Sequence, residues 1–198
     1  IMEESTGILI FGEIADGDIS GTTTELLGKG VELASELGEE LIGAVFGQGA
    51  KAAAQGMIAH GASRVYASED AVLGEYDSDI YTSVAAKLCD EISPNILIMG
   101  HTQIGRDLGP RLSFRLKTGI GTDCTDLAID SGSKLMVQTR PVYGGNAQAQ
   151  VVVEGSKPQM ATVRPKTLTP SEADVRRTGE IIEWSSGIDA SVSKTKNV

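Results

Sequence analysis

The chain has 198 residues, of which 40% are hydrophobic and only 4% are aromatic. That length suits one α/β domain with an appendage, and the hydrophobic content is enough for a sizeable core. Lys and Arg number 17 against 27 Asp and Glu, which gives a formal net charge of −10. Because the whole chain should repel a phosphate backbone, nucleic acid is excluded as an expected partner.

The sequence also argues against a membrane span, a disulfide scaffold and a metal site. No apolar run approaches the ~20 residues that cross a bilayer, and the amino terminus lacks the basic start of a secretory signal. Cys89 and Cys124 lie far apart without a Cys-x-x-Cys motif, and the two histidines have no matching carboxylate spacing. We therefore expect a protein that is not integral to a membrane and that works in a reducing, cytoplasmic setting.

Predicted strands and helices alternate over about the first 120 residues, which is typical of a parallel sheet. The strands are short apolar runs, and the helices repeat apolar residues every three or four positions. Because parallel strands need helical crossovers, we predict an α/β fold with a doubly wound, mostly parallel sheet in three layers. The elements are, in chain order, a strand over 7–12, a helix over 22–37, a strand over 41–46, an Ala-rich helix ending near Gly61, a strand over 64–67, a helix over 80–92, a strand over 95–100 and a helix over 104–116.

The alternation stops near residue 120. Most of the remaining sequence predicts an antiparallel extension at one edge of the sheet. From Pro165 the periodicity is lost, apart from residues 180–184, and residues 185–198 are polar. We therefore predict one α/β domain over residues 1–184 followed by a linker over 185–198. Gly, Ser and Asn turns separate four short predicted strands at 122–130, 134–140, 147–153 and 159–164.

Three loops follow the carboxyl ends of predicted strands, at 12–21, 47–49 and 100–106, where open parallel sheets bind ligands. In the third loop, small residues let backbone N–H groups approach an anion, and Arg106 can add a planar charged contact. Asp107 can cap the helix that follows. A plain strand-to-helix turn explains the same residues. No Gly-x-Gly-x-x-Gly follows the first strand and no P-loop motif occurs, so neither type of nucleotide site is supported.

The segment 139–146, between two predicted strands, is the second candidate site. Gly144 and Gly145 can adopt positive φ and admit a flat ring close to the backbone. Tyr143 offers an aromatic face and Arg140 a fixed cation, which would raise the potential of a flavin that is negative when reduced. A hairpin turn that merely requires positive φ accounts for these residues equally well.

Four segments form an ordered set of motifs. They are G-H-T-Q-I-G-R-D-L-G-P-R-L at 100–112, T-G at 118–119 with T-D-C-T at 122–125, T-R-P-V-Y-G-G-N at 139–146 and P-Q-M-A-T-V-R-P at 158–165. At these spacings they resemble segments of electron-transfer flavoprotein alpha subunits. Four matches in order are far more specific than any one of them, and the resemblance covers residues 7–184.

The resemblance implies a heterodimer of alpha and beta subunits that carries electrons from acyl-CoA dehydrogenases or similar flavoenzymes to a downstream acceptor, with electron bifurcation in some members. It implies an FAD cofactor, bound mostly by a second alpha domain and by the beta subunit. The location it implies is the cytoplasm, or the mitochondrial matrix in a eukaryote. This chain would be the nucleotide-binding-like amino-terminal domain, with the FAD-binding domain absent beyond Val198, and an electron carrier rather than a catalyst in its own right.

Three further expectations concern the main alternative, the surface of an isolated domain and the site. A free-standing nucleotide-binding domain similar to universal stress proteins would need a G-x-x-G-x(9)-G-[ST] phosphate loop, which the sequence lacks. An isolated domain should also expose an apolar patch where the beta subunit sits. The face that we expect to meet an FAD of the beta subunit consists of Arg140, Tyr143, Gly144, Gly145 and Asn146.

Overall fold

The apolar runs of the sequence form the strands of a seven-stranded sheet in the computed structural model, which describes residues 5–194. Four α-helices lie against the sheet, and smaller sheets accompany it. The elements are, in chain order, β1 (Ile8–Gly12), β2 (Ile14–Ala15), β3 (Asp18–Ile19), α1 (Gly21–Leu37), β4 (Leu41–Phe46), α2 (Ala50–Ala59), β5 (Arg64–Ser68), α3 (Ser78–Ile92), β6 (Ile96–Gly100), α4 (Gln103–Arg115), β7 (Ile120–Cys124), β8 (Asp126–Ile129), β9 (Met136–Val142), β10 (Ala147–Val151), β11 (Gln159–Val163) and β12 (Glu180–Glu183), with single 3-10 turns at Ala71–Leu73, Tyr143–Gly145 and Ala190–Val192.

All strands of the large sheet are parallel, in the order β12-β5-β4-β1-β6-β11-β7. The chain winds outward from β1 through β4 to β5 and then returns to β6 on the other side of β1. The switch point of this doubly wound sheet therefore lies between β1 and β6. The predicted fold class is confirmed.

The central strand divides its side chains between two cores. Ile8 and Ile10 pack into one cluster with α1 and α2, whereas Leu9 and Phe11 pack into another with α3 and α4. Successive residues of a strand point to opposite faces, so a continuous apolar run is what a sheet covered on both faces requires. The result is the predicted three-layer arrangement.

The start of α4 differs from the prediction. Thr102, not Asp107, caps the helix, because its Oγ1 accepts the N–H of Gly105 at 3.2 Å. An N-cap must precede the first helical turn, whereas Asp107 lies inside the helix and accepts hydrogen bonds from Tyr76 and Arg111. Pro110 lies in the middle of the helix.

The antiparallel extension is present beside the β7 edge, but it has three strands, in the order β10-β9-β8. The predicted strand over 122–130 divides at Thr125, with β7 in the large sheet and β8 in the small one. The strand predicted at 159–164 is β11, which inserts in parallel between β6 and β7. Its five residues are all buried, as a strand with helices on both faces requires.

The chain after β11 reaches the opposite edge of the sheet, where β12 pairs with β5. Part of the predicted linker is bonded to the domain, since the backbone N–H of Ser186 donates to Asp70 at 2.9 Å and that of Lys194 to Asp79 at 3.0 Å. Residues 195–198 of that linker, and residues 1–4 of the predicted domain, lie outside the described residues. Within residues 5–194, no helix is both long and apolar enough to cross a membrane.

Candidate functional site

Two of the three predicted loops meet at the switch point. The hydroxyl of Thr102 donates to the carboxylate of Glu13 at 2.6 Å, and the backbone N–H of Glu13 donates to Thr23 at 2.9 Å. Burial raises the pKa of Glu13 above its ordinary value, and the bond from Thr102 opposes that rise. The chain's own side chains thus bridge the place where dinucleotide folds hold phosphates. The loop at 47–49 instead bonds to β5, through Gly47 and Ser68.

Charged side chains gather beyond the carboxyl ends of β6, β11 and β7. Arg164 holds the Asp123 carboxylate with two hydrogen bonds, at 2.9 and 2.7 Å. The Nδ1 atom of His101 lies 2.9 Å from the hydroxyl of Thr162, and its Nε2 atom lies 3.9 Å from Asp123. Since Thr162 also accepts the backbone N–H of Asp123 at 3.1 Å, the four residues form one connected network.

The surroundings of His101 carry excess positive charge. Burial lowers the pKa of His101. The positive charges of Arg106, Arg164 and Arg140 lower this pKa further, and only Asp123 acts in the opposite direction. The hydrogen bonds from Arg164 are the main reason that the pKa of Asp123 lies below its ordinary value. Three arginines but only one carboxylate act on His101, so its surroundings are cationic, although the whole chain has a net charge of −10.

Arg140 is fixed at the same edge. Its Nη1 donates to Thr122 at 3.3 Å, and its charge lowers the pKa of Asp123 and opposes the rise caused by burial at Cys124. Its Nε atom is buried and has no hydrogen-bond partner among the residues that the structure describes. A buried donor without a partner is uncommon in proteins and calls for an explanation, such as a water or another acceptor.

The other predicted site residues form the turn between β9 and β10. Tyr143, Gly144 and Gly145 have φ angles of 52°, 67° and 92°, and the Asn146 side chain closes the turn by donating to the Tyr143 carbonyl at 2.9 Å. Tyr143 is 85% exposed. Added Cβ atoms at Gly144 and Gly145 would meet no atom within 4 Å. The turn therefore faces open space.

One hairpin carries all five predicted residues, but Arg140 and the turn at 143–146 lie in different surroundings. Arg140 contacts Thr122 on the large sheet, whereas the turn at 143–146 projects outward. These residues do not form an enclosed dinucleotide site.

The residues that sequence reasoning missed are Asp123, Thr162 and Arg164, whereas His101 lies in the candidate loop at 100–106. Each of the missed residues lies in one of the four motifs that carry the family resemblance, yet residue types alone did not mark any of them as a site residue. Their association depends on β11 lying between β6 and β7, which local patterns do not reveal. The available signal was that three motifs each contain the carboxyl end of a strand.

Comparison with known proteins identifies the family. The model of the electron transfer flavoprotein domain matches residues 8–188. The electron transfer flavoprotein subunit alpha of Megasphaera elsdenii is 40% identical over 197 residues, which cover 100% of this chain and 58% of that protein. The subunit alpha of Clostridium acetobutylicum is 43% identical over 159 residues, covering 80% of this chain and 47% of that protein.

A third relative carries a different name. The subunit LctC of the NAD(+),ferredoxin lactate dehydrogenase of Acetobacterium woodii is 33% identical over 166 residues, covering 84% of this chain and 40% of that subunit. The chain spans about half the length of the curated relatives it matches. The motifs, the fold and the family model agree, and the chain belongs to the electron-transfer flavoprotein family.

Proposed function

We propose that this chain is the amino-terminal part of the alpha subunit of a heterodimeric electron-transfer flavoprotein. The complete protein carries electrons between flavin dehydrogenases, such as acyl-CoA dehydrogenases, and a downstream acceptor. Relatives named as alpha subunits support this assignment. Since the chain spans about half of their length, the remainder of the alpha subunit and a beta subunit complete the carrier and hold its FAD.

We further propose that Arg140 and the turn at 143–146 face an FAD that the beta subunit holds. The supporting observation is the cation of Arg140, which Thr122 holds in place, on a hairpin whose turn faces open space. FAD supplies the ring that accepts and releases electrons. Arg140 supplies a fixed positive charge, and Tyr143 an exposed aromatic face. Positive charge beside the ring favours its reduced, anionic form.

The test is Arg140→Ala in the complete heterodimer. Removal of the cation should lower the midpoint potential of one flavin, by an amount on the order of tens of millivolts, and leave the other unchanged. Unchanged potentials and spectra for both flavins would contradict the assignment. Arg176→Ala is the matched control, because Arg176 is exposed and pairs only locally, with Asp174 at 3.1 Å.

Electron bifurcation is a narrower version of this function. It is favoured by the relation to LctC, whose name includes both NAD(+) and ferredoxin. Bifurcation predicts that the heterodimer oxidises NADH and reduces ferredoxin only when a second, higher-potential acceptor is also present. Reduction of that acceptor alone, without ferredoxin reduction, would identify a non-bifurcating carrier.

A further inference from the structure

The outer edge of β10 is open and uncharged. Within residues 5–194, β10 pairs with β9 on one side and with no strand on the other. The sequence has no Asp, Glu, Lys or Arg between Arg140 and Glu154, although 22% of the chain is charged. Proteins normally protect an open edge with charges, proline, a bulge or a covering element. This edge has no such protection.

The direction of the backbone groups on β10 follows from the pairing. The carbonyl of Thr139 accepts the N–H of Thr125 at 2.8 Å, so the polar backbone groups of Thr139 face β8. In an antiparallel pair, the backbone N–H and C=O groups of two opposite residues point either toward each other or away from each other. Gln150 is opposite Thr139, and its N–H and C=O therefore point outward. Gln148, two residues earlier, has the same orientation.

Proline on the neighbouring strand supports this direction. Gln148 is opposite Pro141, which has no N–H to donate. A pair that included proline could not exchange both hydrogen bonds, so Gln148 and Pro141 belong to a pair whose backbone groups face away from each other. The open edge thus presents two N–H donors and two carbonyl acceptors, from Gln148 and Gln150.

The side chains around this edge are exposed as well. Four of the five residues of β10 are exposed, and they point to both faces of the strand. Val151 and Val152 are 36% and 40% exposed, and Tyr143 at the end of the hairpin is 85% exposed. Apolar side chains beside unpaired backbone groups are what an added strand covers, with main-chain bonds for affinity and side chains for specificity.

We propose that the outer edge of β10 pairs with an extended, uncharged strand of the beta subunit. The inference rests on the proposed function, which supplies that partner. The turn at 143–146 joins β9 to β10, so a subunit that brings FAD to the turn also reaches the edge. A second copy of this chain is the weaker candidate, because two copies of charge −10 repel each other.

Hydrogen–deuterium exchange of the complete alpha–beta complex tests the pairing directly. The amides of Gln148 and Gln150 should exchange at least about 100-fold more slowly than in an unstructured peptide of the same sequence. Free exchange in an assembled, flavin-containing complex overturns the inference and leaves the proposed function standing. If the wild-type subunits do not assemble at all, both fall.

Gln150→Pro provides a second test. It removes one outward N–H but no bond between β9 and β10, and it should weaken assembly with the beta subunit by about 10- to 100-fold. Gln150→Thr keeps the N–H and should assemble within about 3-fold of wild type. Circular dichroism establishes whether the proline variant folds. If the proline variant does not fold, hydrogen–deuterium exchange of the wild-type complex is the test of the pairing.

Two outcomes contradict the proposal, one from the assembly measurement and one from the alpha subunit alone. Equal affinities of folded Gln150→Pro and Gln150→Thr for the beta subunit would show that no strand adds at this edge. Protection of Gln148 and Gln150 in the alpha subunit without its partner, together with dimer formation in sedimentation, would assign the edge to a second copy.

Discussion

The buried carboxylate of Glu25 accepts the backbone N–H of Leu168 at 3.2 Å, across 143 positions of sequence. The N–H groups of Lys166 and Thr167 donate to the same carboxylate, at 3.0 and 3.1 Å. Three consecutive donors of the segment after β11 are therefore satisfied by one side chain of α1. This contact begins the path by which the chain leaves β11 and reaches the far edge of the sheet, where β12 pairs with β5.

Glu25→Ala should lower the free energy of unfolding by about 2–3 kcal/mol, because it leaves three backbone donors without their acceptor. Glu25→Gln keeps one acceptor oxygen and should lose about half as much. Urea unfolding followed by circular dichroism measures both. Glu36→Ala, at an exposed position of the same helix, should stay within about 0.5 kcal/mol of wild type. Equal stabilities of the Glu25→Ala and Glu36→Ala variants would show that the carboxylate does not hold this segment.

Two fully buried glutamines should respond in opposite ways to the same substitution. Gln159 accepts the N–H of Met136 at 2.7 Å and donates to Asn95 at 3.3 Å, whereas neither amide atom of Gln138 has a partner among residues 5–194. Gln159→Met should cost about 2 kcal/mol, while Gln138→Met should be neutral or stabilising. Thermal unfolding of the two variants provides the comparison. A large loss for Gln138→Met would reveal a polar contact at that site.

The sequence predicted most strands and helices because short apolar runs and apolar repeats every three or four residues are local properties. It did not reveal where β11 pairs, because the residues of a strand do not by themselves determine which strands lie beside it. The run at 159–163 is equally compatible with an edge and with the middle of the sheet. The pairing of β12 was hidden for the same reason, since four mostly exposed residues do not state which edge they join.

The candidate site was likewise predicted only where its residues are close in sequence. Arg140 and the turn at 143–146 were found from residue types and one motif, all within eight positions. His101, Asp123 and Arg164 meet only because three strands end side by side. Asp123 additionally has a φ of 60°, which is unusual for a residue other than glycine and is set by its tertiary contacts.

The attachment of the chain after Trp184 should depend on pH through Asp70. Burial raises the pKa of Asp70, but hydrogen bonds from Ser185 and Ser186 outweigh burial and hold it below its ordinary value. The stabilisation is therefore complete above the unfolded pKa of about 3.9 and is lost as the pH falls through the lower folded value. Below that pH the segment should detach.

Trp184, the only tryptophan, is the probe for this titration. Its ring stacks on Phe46 with centroids 6.0 Å apart, and its Nε1 donates to Glu91 at 2.7 Å. Asp70→Asn should change the fluorescence of Trp184 at neutral pH, and the difference from wild type should shrink as the pH falls below about 4. A difference that is independent of pH would assign the effect to packing and not to ionisation.

The close contact between α4 and β6 leaves no room for a side chain at Gly105. A Cβ atom there would lie 1.8 Å from the carbonyl oxygen of Gly100, so Gly105→Ala must push the start of the helix away from the strand. We expect a loss of about 3 kcal/mol in the free energy of unfolding. The same displacement should move His101 and Thr102, which connect the strand to the helix.

Gly21→Ala is the matched control for this substitution. Gly21 is also helical, but an added Cβ there meets no atom within 4 Å, so alanine should be neutral or stabilise by up to about 1 kcal/mol. Urea unfolding compares the two variants, and the ring resonances of His101 in NMR spectra report its displacement. If Gly105→Ala were as stable as Gly21→Ala, the helix could retreat from β6 without cost, and the contact would not be what positions the loop at 100–106.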